Sequence, residues 1–231
     1  RQYLLPGQSF KIDLAIAYRN GYKGIDLMDQ NFNLLYTFNV ASDVYSSTTN
    51  ANFGWTYDQA SVFQLVVNQT DVNSYEVIIL RGSDSYSSGI RTGQFSGFKL
   101  FIGNTDPGND LNNLHFNSLV VQKCAMTTTW DGTSWDKGEP NINKNVVFTG
   151  NYTAAVGFSA CSVTVSNNAI VTINSLNTIT IENGISVNSG SSLIFENKSS
   201  LIQNNVGAVN IGNITYKRNA NPMIQYDYTY W

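Results

Sequence analysis

The sequence predicts an all-β protein in two parts, an antiparallel jelly-roll or lectin-like sandwich followed by a short β-solenoid. Alternating apolar and polar residues fill the first part, and apolar pairs recur at a step of eight in the second. No long stretch keeps the 3.6-residue apolar period of a helix without a glycine or a β-branched interruption. We place the sandwich at 1–122, a linker at 123–129 and the solenoid at 130–231.

The first part contains a series of short strand-like runs. The run SFKIDLAIAY alternates the apolar residues Phe10, Ile12, Leu14 and Ile16 with polar ones, and later runs are separated by turns rich in Asn, Asp and Gly. Strands of this length with such turns are typical of an antiparallel sandwich. The longer polar and aromatic loop at 41–60 is where a rigid sandwich would place a binding site.

The second part repeats an apolar pair every eight residues. The pairs are Val163/Val165, Val171/Ile173 and Ile179/Ile181, and Val187 and Phe195 follow in phase. Each pair predicts a short strand, and the Asn, Ser, Thr and Gly between pairs predict turns. Such units cannot bury an apolar face alone, so we expect them to stack as a solenoid. The alternative fold for this part is a second sandwich whose hairpins are evenly spaced. Trp130 and Trp135 either cap the open end of the solenoid or belong to a ligand site.

The composition indicates an extracellular β-protein. Only 13% of the residues are charged, 42% are hydrophobic, and the net charge is −3. Since no basic stripe is present, nucleic acid is not an expected partner. No apolar run approaches the roughly 20 residues of a membrane helix, so membrane insertion is not expected either. The chain starts at Arg1 without a signal-peptide core and ends in a strand-like run, which favours a processed product or fragment truncated in the solenoid.

The chain has two cysteines, Cys124 and Cys161. They could be two buried thiols, or they could form one disulfide in an oxidising compartment. Their spacing matches no zinc motif.

The sequence offers no clear catalytic group, and we predict that the chain is not an enzyme. The single histidine, His115, lies out of phase with Leu114 and Phe116, so it should face outward from its strand. No nucleophile-elbow motif is present, and turn chemistry accounts for most of the acidic residues.

The loop NTDPGNDLNN is a candidate calcium site. Asp106, Asn109, Asp110 and Asn112 place four side-chain oxygen donors in one short segment, and Ca²⁺ prefers oxygen ligands. The alternative is an ordinary hairpin rich in Asn and Asp. Ca²⁺ is the only cofactor that the sequence suggests.

The loop at 41–60 is a candidate carbohydrate site. Tyr45, Trp55 and Tyr57 supply aromatic faces, and Asp58 supplies a carboxylate for sugar hydroxyls. The alternative is that the aromatic rings, Trp55 among them, fold inward as loop anchors.

Several motifs resemble modules of large secreted proteins of Bacteroidetes, especially gliding flavobacteria. In the second part these are TTTWDGTSWDKGEP (127–140), GNYTA with FSACSVTV (150–165) and NITYKRNANPMIQYDYTYW (213–231). In the first part they are SFKIDLAIAYRNGYKGIDL and NLHFNSLVV. The resemblance implies export by the type IX secretion machinery, as a transient partner, and a location outside the cell or attached to the outer membrane.

We therefore expect a non-catalytic module of a secreted or cell-surface adhesin. Its expected partner is a polysaccharide or surface glycan bound by the sandwich loops. The alternatives are a structural stalk or secretion cargo segment without a ligand, and an accessory module of an extracellular polysaccharide-degrading enzyme.

Overall fold

The computed structural model describes residues 3–16, 21–55, 61–104 and 113–220. Every named element in these ranges is a β-strand, which confirms the all-β prediction. The chain divides into two compact units, Arg1–Met126 and Thr127–Trp231. The described residues contain no helix that could span a membrane.

The described residues of the first unit form nine antiparallel strands in two sheets. These strands are β1 (Ser9–Ile16), β2 (Tyr22–Met28), β3 (Leu34–Ala41), β4 (Val44–Ser47), β5 (Val62–Asp71), β6 (Ser74–Arg81), β7 (Asp84–Thr92), β8 (Gly97–Gly103) and β9 (Leu114–Gln122). The five-stranded sheet has the order β7-β6-β5-β1-β9, and the four-stranded sheet has the order β4-β3-β2-β8.

Alternation along the strands produces one apolar core between the two sheets. In β1, the residues at every second position are fully or almost fully buried, as the sequence predicts: Phe10, Ile12, Leu14 and Ile16. They belong to the same cluster as Ile25 and Leu27 of β2 and as apolar residues of β3, β5 and β6. Burial of a core side chain of this size stabilises the fold by about 1.5–3 kcal/mol.

The two antiparallel sheets confirm the predicted antiparallel sandwich, and their strand order shows how the chain builds it. Three consecutive strands lie side by side in each sheet, β2-β3-β4 in one and β5-β6-β7 in the other. Tight turns are the reason, because a two-residue turn returns the chain to the neighbouring position of the same sheet. Between β3 and β4, for example, Ser42 and Asp43 both have positive φ, as a type I′ turn requires.

The second unit is a parallel β-solenoid, as the sequence predicts. Its strands are β10 (Met126–Trp130), β11 (Lys144–Phe148), β12 (Tyr152–Ala154), β13 (Ser159–Ala160), β14 (Ser162–Val165), β15 (Ile170–Ile173), β16 (Thr178–Ile181), β17 (Ile185–Val187), β18 (Ser192–Phe195), β19 (Ser200–Gln203) and β20 (Thr215–Tyr216). They form three sheets, β10-β11-β14-β17, β12-β15-β18-β20 and β13-β16-β19.

A step of eight residues leads from one strand to the next strand of the same coil. It is not the separation between a strand and its paired strand in the next coil. Each strand from β11 to β16 pairs in parallel with the strand three further along the chain. Val163 pairs with Ile185, and Val171 pairs with Leu193, so a coil takes 22 residues. Strands that follow one another in sequence therefore lie on different faces of the solenoid, and their apolar residues meet inside it.

Asparagine side chains join consecutive coils at the turns. Asn177 Nδ2 donates to the carbonyl oxygen of Ala154 at 3.0 Å, and Asn205 Nδ2 donates to Asn183 Oδ1 at 3.1 Å. These bonds satisfy polar groups that the turns would otherwise leave unpaired. They give the abundant asparagine of this region a structural role.

Trp130 and Trp135 lie at the first end of the solenoid core. The rings of Trp130 and Trp135 pack on that core, and Trp135 contacts Phe148 edge-on at a centroid distance of 5.5 Å. Trp130 Nε1 also donates to the carbonyl oxygen of Asn151 at 2.9 Å. Because strand β10 pairs beside β11, the predicted linker at 123–129 is in large part a strand of the first solenoid sheet.

The inward-facing residues of the solenoid strands form a column in its core, which we call the inward column. A substitution in this column should change the free energy of unfolding more than a substitution at the neighbouring outward-facing residue. Ile173 is fully buried and pairs between Ala154 and Phe195, whereas Thr172 points outward. We expect Ile173→Ala to lower the free energy of unfolding of the solenoid by about 2–5 kcal/mol. Thr172→Ala, the matched control, should change it by less than about 0.5 kcal/mol. Hydrogen exchange of solenoid amides in the full chain measures both, and equal effects would contradict the inward column.

Candidate ligand-binding face

Tyr45, one of the predicted ligand-binding residues, is a core residue. Its side chain is 1% exposed, and its hydroxyl donates to the carbonyl oxygen of Ile16 at 2.7 Å. The ring packs against Phe38 and Phe63. A buried ring cannot offer a face to a sugar, so this part of the prediction is wrong.

Trp55 is half-buried and packs on the sandwich core. Its ring stacks on Phe53 at a centroid distance of 4.3 Å with an interplanar angle of 14°. The guanidinium carbon of Arg81 lies 6.0 Å from the Trp55 ring and 5.6 Å from the Tyr45 ring. Stacking and cation–π contacts of this kind hold the loop down on the sandwich. The inward alternative for these rings fits this geometry better than a sugar-stacking role.

The remaining predicted ligands of the first unit lie outside the described residues. Tyr57 and Asp58 belong to the segment 56–60, and the calcium candidates belong to the segment 105–112: Asp106, Asn109, Asp110 and Asn112. The roles of Tyr57 and Asp58 in ligand binding and the calcium site therefore stay predictions. Among the residues that the structure does describe, no group of three or more His, Cys, Asp or Glu side chains could hold a metal ion.

Both cysteines are disulfide-bonded, and the chain contains no others. Cys161 is buried directly before β14, and Asn183 Nδ2 approaches its Sγ at 3.1 Å. A disulfide that closes a loop of this length stabilises the folded state mainly by restricting the unfolded chain.

We expect reduction of this disulfide to lower the free energy of unfolding by about 2–4 kcal/mol. Denaturant titration with and without a thiol reductant measures the difference. A Cys124→Ser/Cys161→Ser double variant is the control, because it should match the reduced protein and should not respond to the reductant. A double variant as stable as the oxidised protein would contradict the expectation.

His115 is exposed on β9, as its phase in the sequence predicts. It pairs across from Ala15 and lines a shallow groove together with Asp13 and Asn117.

The outer face of the four-stranded sheet carries two aromatic rings that sequence reasoning did not single out. Tyr22 of β2 pairs with Gly103 of β8, and Phe101 of β8 pairs with Gly24 of β2. A Cβ atom on Gly103 would lie 2.3 Å from Cζ of Tyr22, so the tyrosine ring lies over that glycine. The two ring centroids are 6.1 Å apart, and Tyr22 is 44% exposed. We call this pair of rings the Tyr22–Phe101 platform.

Polar side chains continue the platform along the same face. Asp26 pairs across from Lys99 on one side and from Thr37 on the other. Thr37 Oγ1 donates to Asp26 Oδ1 at 2.8 Å, which fixes the carboxylate. On the next row, Ser46 Oγ donates to Asn39 Oδ1 at 2.7 Å. One acidic residue, Asp26, and one basic residue, Lys99, thus lie beside the rings, and their opposite charges cancel.

The platform and its polar neighbours border one open groove. The groove has a volume of about 590 Å³, and Tyr22, Phe101, Asp26 and Lys99 are among its lining residues. Apolar rings combined with a few fixed hydrogen-bonding groups are the usual makeup of a small-ligand site. Here the rings can cover an apolar face of the ligand, while Asp26 accepts and Lys99 donates hydrogen bonds.

A second groove, on the solenoid, is a weaker candidate. It has a volume of about 710 Å³ and is lined in part by Glu139, Tyr152 and Asn177. The Tyr152 ring already packs against Trp130 and Phe148, and Asn177 already donates to the coil before it. Burial raises the pKa of Tyr152, and the nearby charge of Glu139 adds to this effect. These side chains are engaged in holding the solenoid end together.

Sequence reasoning missed the platform because it depends on a long-range register. Tyr22 and Gly103 are far apart in the chain, and only the pairing of β2 with β8 brings them together. The local signal was present as glycines and aromatic residues within the strands YKGIDLM and GFKLFIG. Glycine within a strand marks a close approach of another group, so these positions could have been flagged.

The second unit matches a known protein family. Residues 121–231 match the family model described as Domain of unknown function (DUF8693). The match covers just under half of the chain and includes the solenoid and both cysteines. No curated protein matches the chain. The family match assigns no activity, so the geometry of the sheet face carries the functional argument.

Proposed function

We propose that this chain is a non-catalytic module of a secreted or cell-surface protein, and that it binds carbohydrate through the Tyr22–Phe101 platform. The observation that carries the proposal is an exposed sheet face on which the Tyr22 ring lies over Gly103 and Phe101 pairs across from Gly24. Neither ring therefore faces a side chain from its cross-strand neighbour in this pair of strands. The proposal moves the ligand site from the sandwich loops to the face of the four-stranded sheet.

The chemistry of the face favours a neutral or weakly charged sugar chain. An aromatic platform covers the C–H face of a pyranose ring, and hydroxyl groups on the ring edge bond to carboxylate, amide and ammonium groups. Asp26, Lys99 and Asn39 are the available groups. Because Asp26 stands directly opposite Lys99, the face does not select strongly for either charge.

A secreted or surface location is supported by the disulfide. Disulfides persist in oxidising compartments and are rare in the cytosol. The resemblance to secreted modules of Bacteroidetes adds type IX export and an adhesin as the proposed context. In that context the solenoid serves as a rigid spacer, because its coils bury a continuous column of apolar side chains.

The alternative function is a structural stalk without a ligand. It is favoured by the packing of Tyr45 and Trp55 on the core, which removes those rings from the surface that the sequence suggested. The two functions differ in one measurable property, which is whether substitution of the platform changes binding to any glycan.

Three substitutions test the platform by binding to a panel of neutral and acidic polysaccharides, using affinity electrophoresis and a glycan array. We expect Tyr22→Ala and Phe101→Ala each to weaken binding tenfold or more. Gly103→Ala should weaken it comparably, because its Cβ would displace the Tyr22 ring while leaving both aromatic residues in place. The change in folding stability should be small for Gly103→Ala, since the obstructed atoms are the movable end of a side chain.

Ile90→Ala is the matched control, because Ile90 is an exposed apolar residue on β7 of the other sheet. It should bind like the wild type. A wild-type protein that binds no glycan in the panel would favour the stalk. Binding that all three platform substitutions leave unchanged would exclude the platform as the site.

A further inference from the structure

Strand β9, at one edge of the five-stranded sheet, extends beyond the edge of the four-stranded sheet. Phe10 of β1 packs against Phe98 of β8, so the edge strand β8 of the smaller sheet lies over β1. β9 lies one strand further out. Its residues Phe116 and Val121 pair across from Leu14 and Phe10, which places them on the inner face. They are nevertheless 52% and 58% exposed, and no described strand of the smaller sheet lies opposite β9.

β9 also lacks the charged and proline residues that protect many edge strands. Its sequence, LHFNSLVVQ, contains no Lys, Arg, Asp, Glu or Pro, whereas the edge strands β7 and β8 carry charged residues. The fourth edge strand, β4, is only four residues long. Leu119 and Val120 are also about half exposed. A long, uncharged and apolar edge is a site where another strand can add. We call Phe116, Leu119, Val120 and Val121 the β9 apolar edge.

We propose that β9 pairs antiparallel with β9 of a second copy of this chain. A two-fold axis brings the same surface of both copies together, so the surface must be self-complementary. An uncharged strand meets this condition, since no like charges face each other across the axis. Of the four sheet edges in the described sandwich, β9 is the one that is both long and uncharged.

The position of the bulge in β9 limits the proposed pairing to its second half. The register with β1 shifts between Lys11 and Asp13, and Ser118 of β9 has a positive φ of 56°. Regular strand resumes at Leu119 and continues to Gln122. A two-fold axis at Val120 would place Leu119 of one copy opposite Val121 of the other, with both side chains on the inner face.

The size of the surface indicates a weak dimer. The four residues of the β9 apolar edge are 43% to 58% exposed, so they form a patch of only a few hundred Å² per copy, comparable to the largest apolar patch of a typical monomer. A standard stable interface buries about 800 Å² per partner, so we expect a dimer that dissociates on dilution.

The test uses sedimentation velocity of the full chain between roughly 1 and 100 μM, the range in which weak dimers of this size dissociate. We expect the wild type to shift from monomer to dimer over this range. Val121→Lys and Val121→Glu should each stay monomeric, because the two introduced like charges would be diagonal neighbours on one face across the axis. An equimolar mixture of the two variants should recover dimer, because opposite charges then meet. Both variants should melt within a few degrees of the wild type, since Val121 is exposed.

Tyr22→Ala is the control, because it alters the other sheet and should dimerise like the wild type. The proposal is overturned by a wild type that stays monomeric at the highest concentration. It is also overturned by variants that still dimerise singly, or by a mixture of the two that stays monomeric. None of these outcomes bears on glycan binding, which the platform substitutions measure separately.

Discussion

The pairing of strand edges is the constraint on which both units depend. A β-strand leaves a row of N–H and C=O groups on each side, and these need partners. In the solenoid the partner is always the strand one coil away, and β10 and the two tryptophans cover the first end. In the sandwich, tight turns supply some of the partners and long-range pairings such as β2 with β8 supply the others. Among the four edge strands of the described sandwich, β9 is the long one without a charged residue.

Periodicity in the sequence was sufficient to predict the strands and their buried faces. Phe10, Ile12, Leu14 and Ile16 are buried, and so are Val163, Val165, Val171 and Ile173. The sequence could not define which strands pair. A step of eight is equally compatible with hairpins and with three-sided coils, because both bury alternate residues. Only the registers that join residues 22 positions apart distinguish the two.

For the aromatic residues too, the local sequence was not enough to predict which side chains are exposed, because exposure depends on long-range strand pairing. Tyr45 and Trp55 lie in a polar, glycine-containing segment, which made them plausible ligand contacts. They turn inward because the end of the sandwich core offers apolar area to rings that reach it. Tyr22 and Phe101 lie within strands, yet they remain on the surface because their cross-strand neighbours are glycines. Loop or strand position alone therefore does not predict which ring is available to a ligand.

The two proposed surfaces lie on different sheets of the sandwich, and this has a functional consequence. The platform is on the outer face of β2 and β8, whereas the apolar edge belongs to β9 of the other sheet. A dimer formed through β9 would thus leave both platforms open. Polysaccharides repeat the same unit along one chain, so two weak platforms in one particle can bind a single polymer at once. The second contact would then form at a high effective concentration, and avidity would exceed the affinity of either platform. A weak sugar site and a weak dimer would in this way combine into firm attachment to a surface.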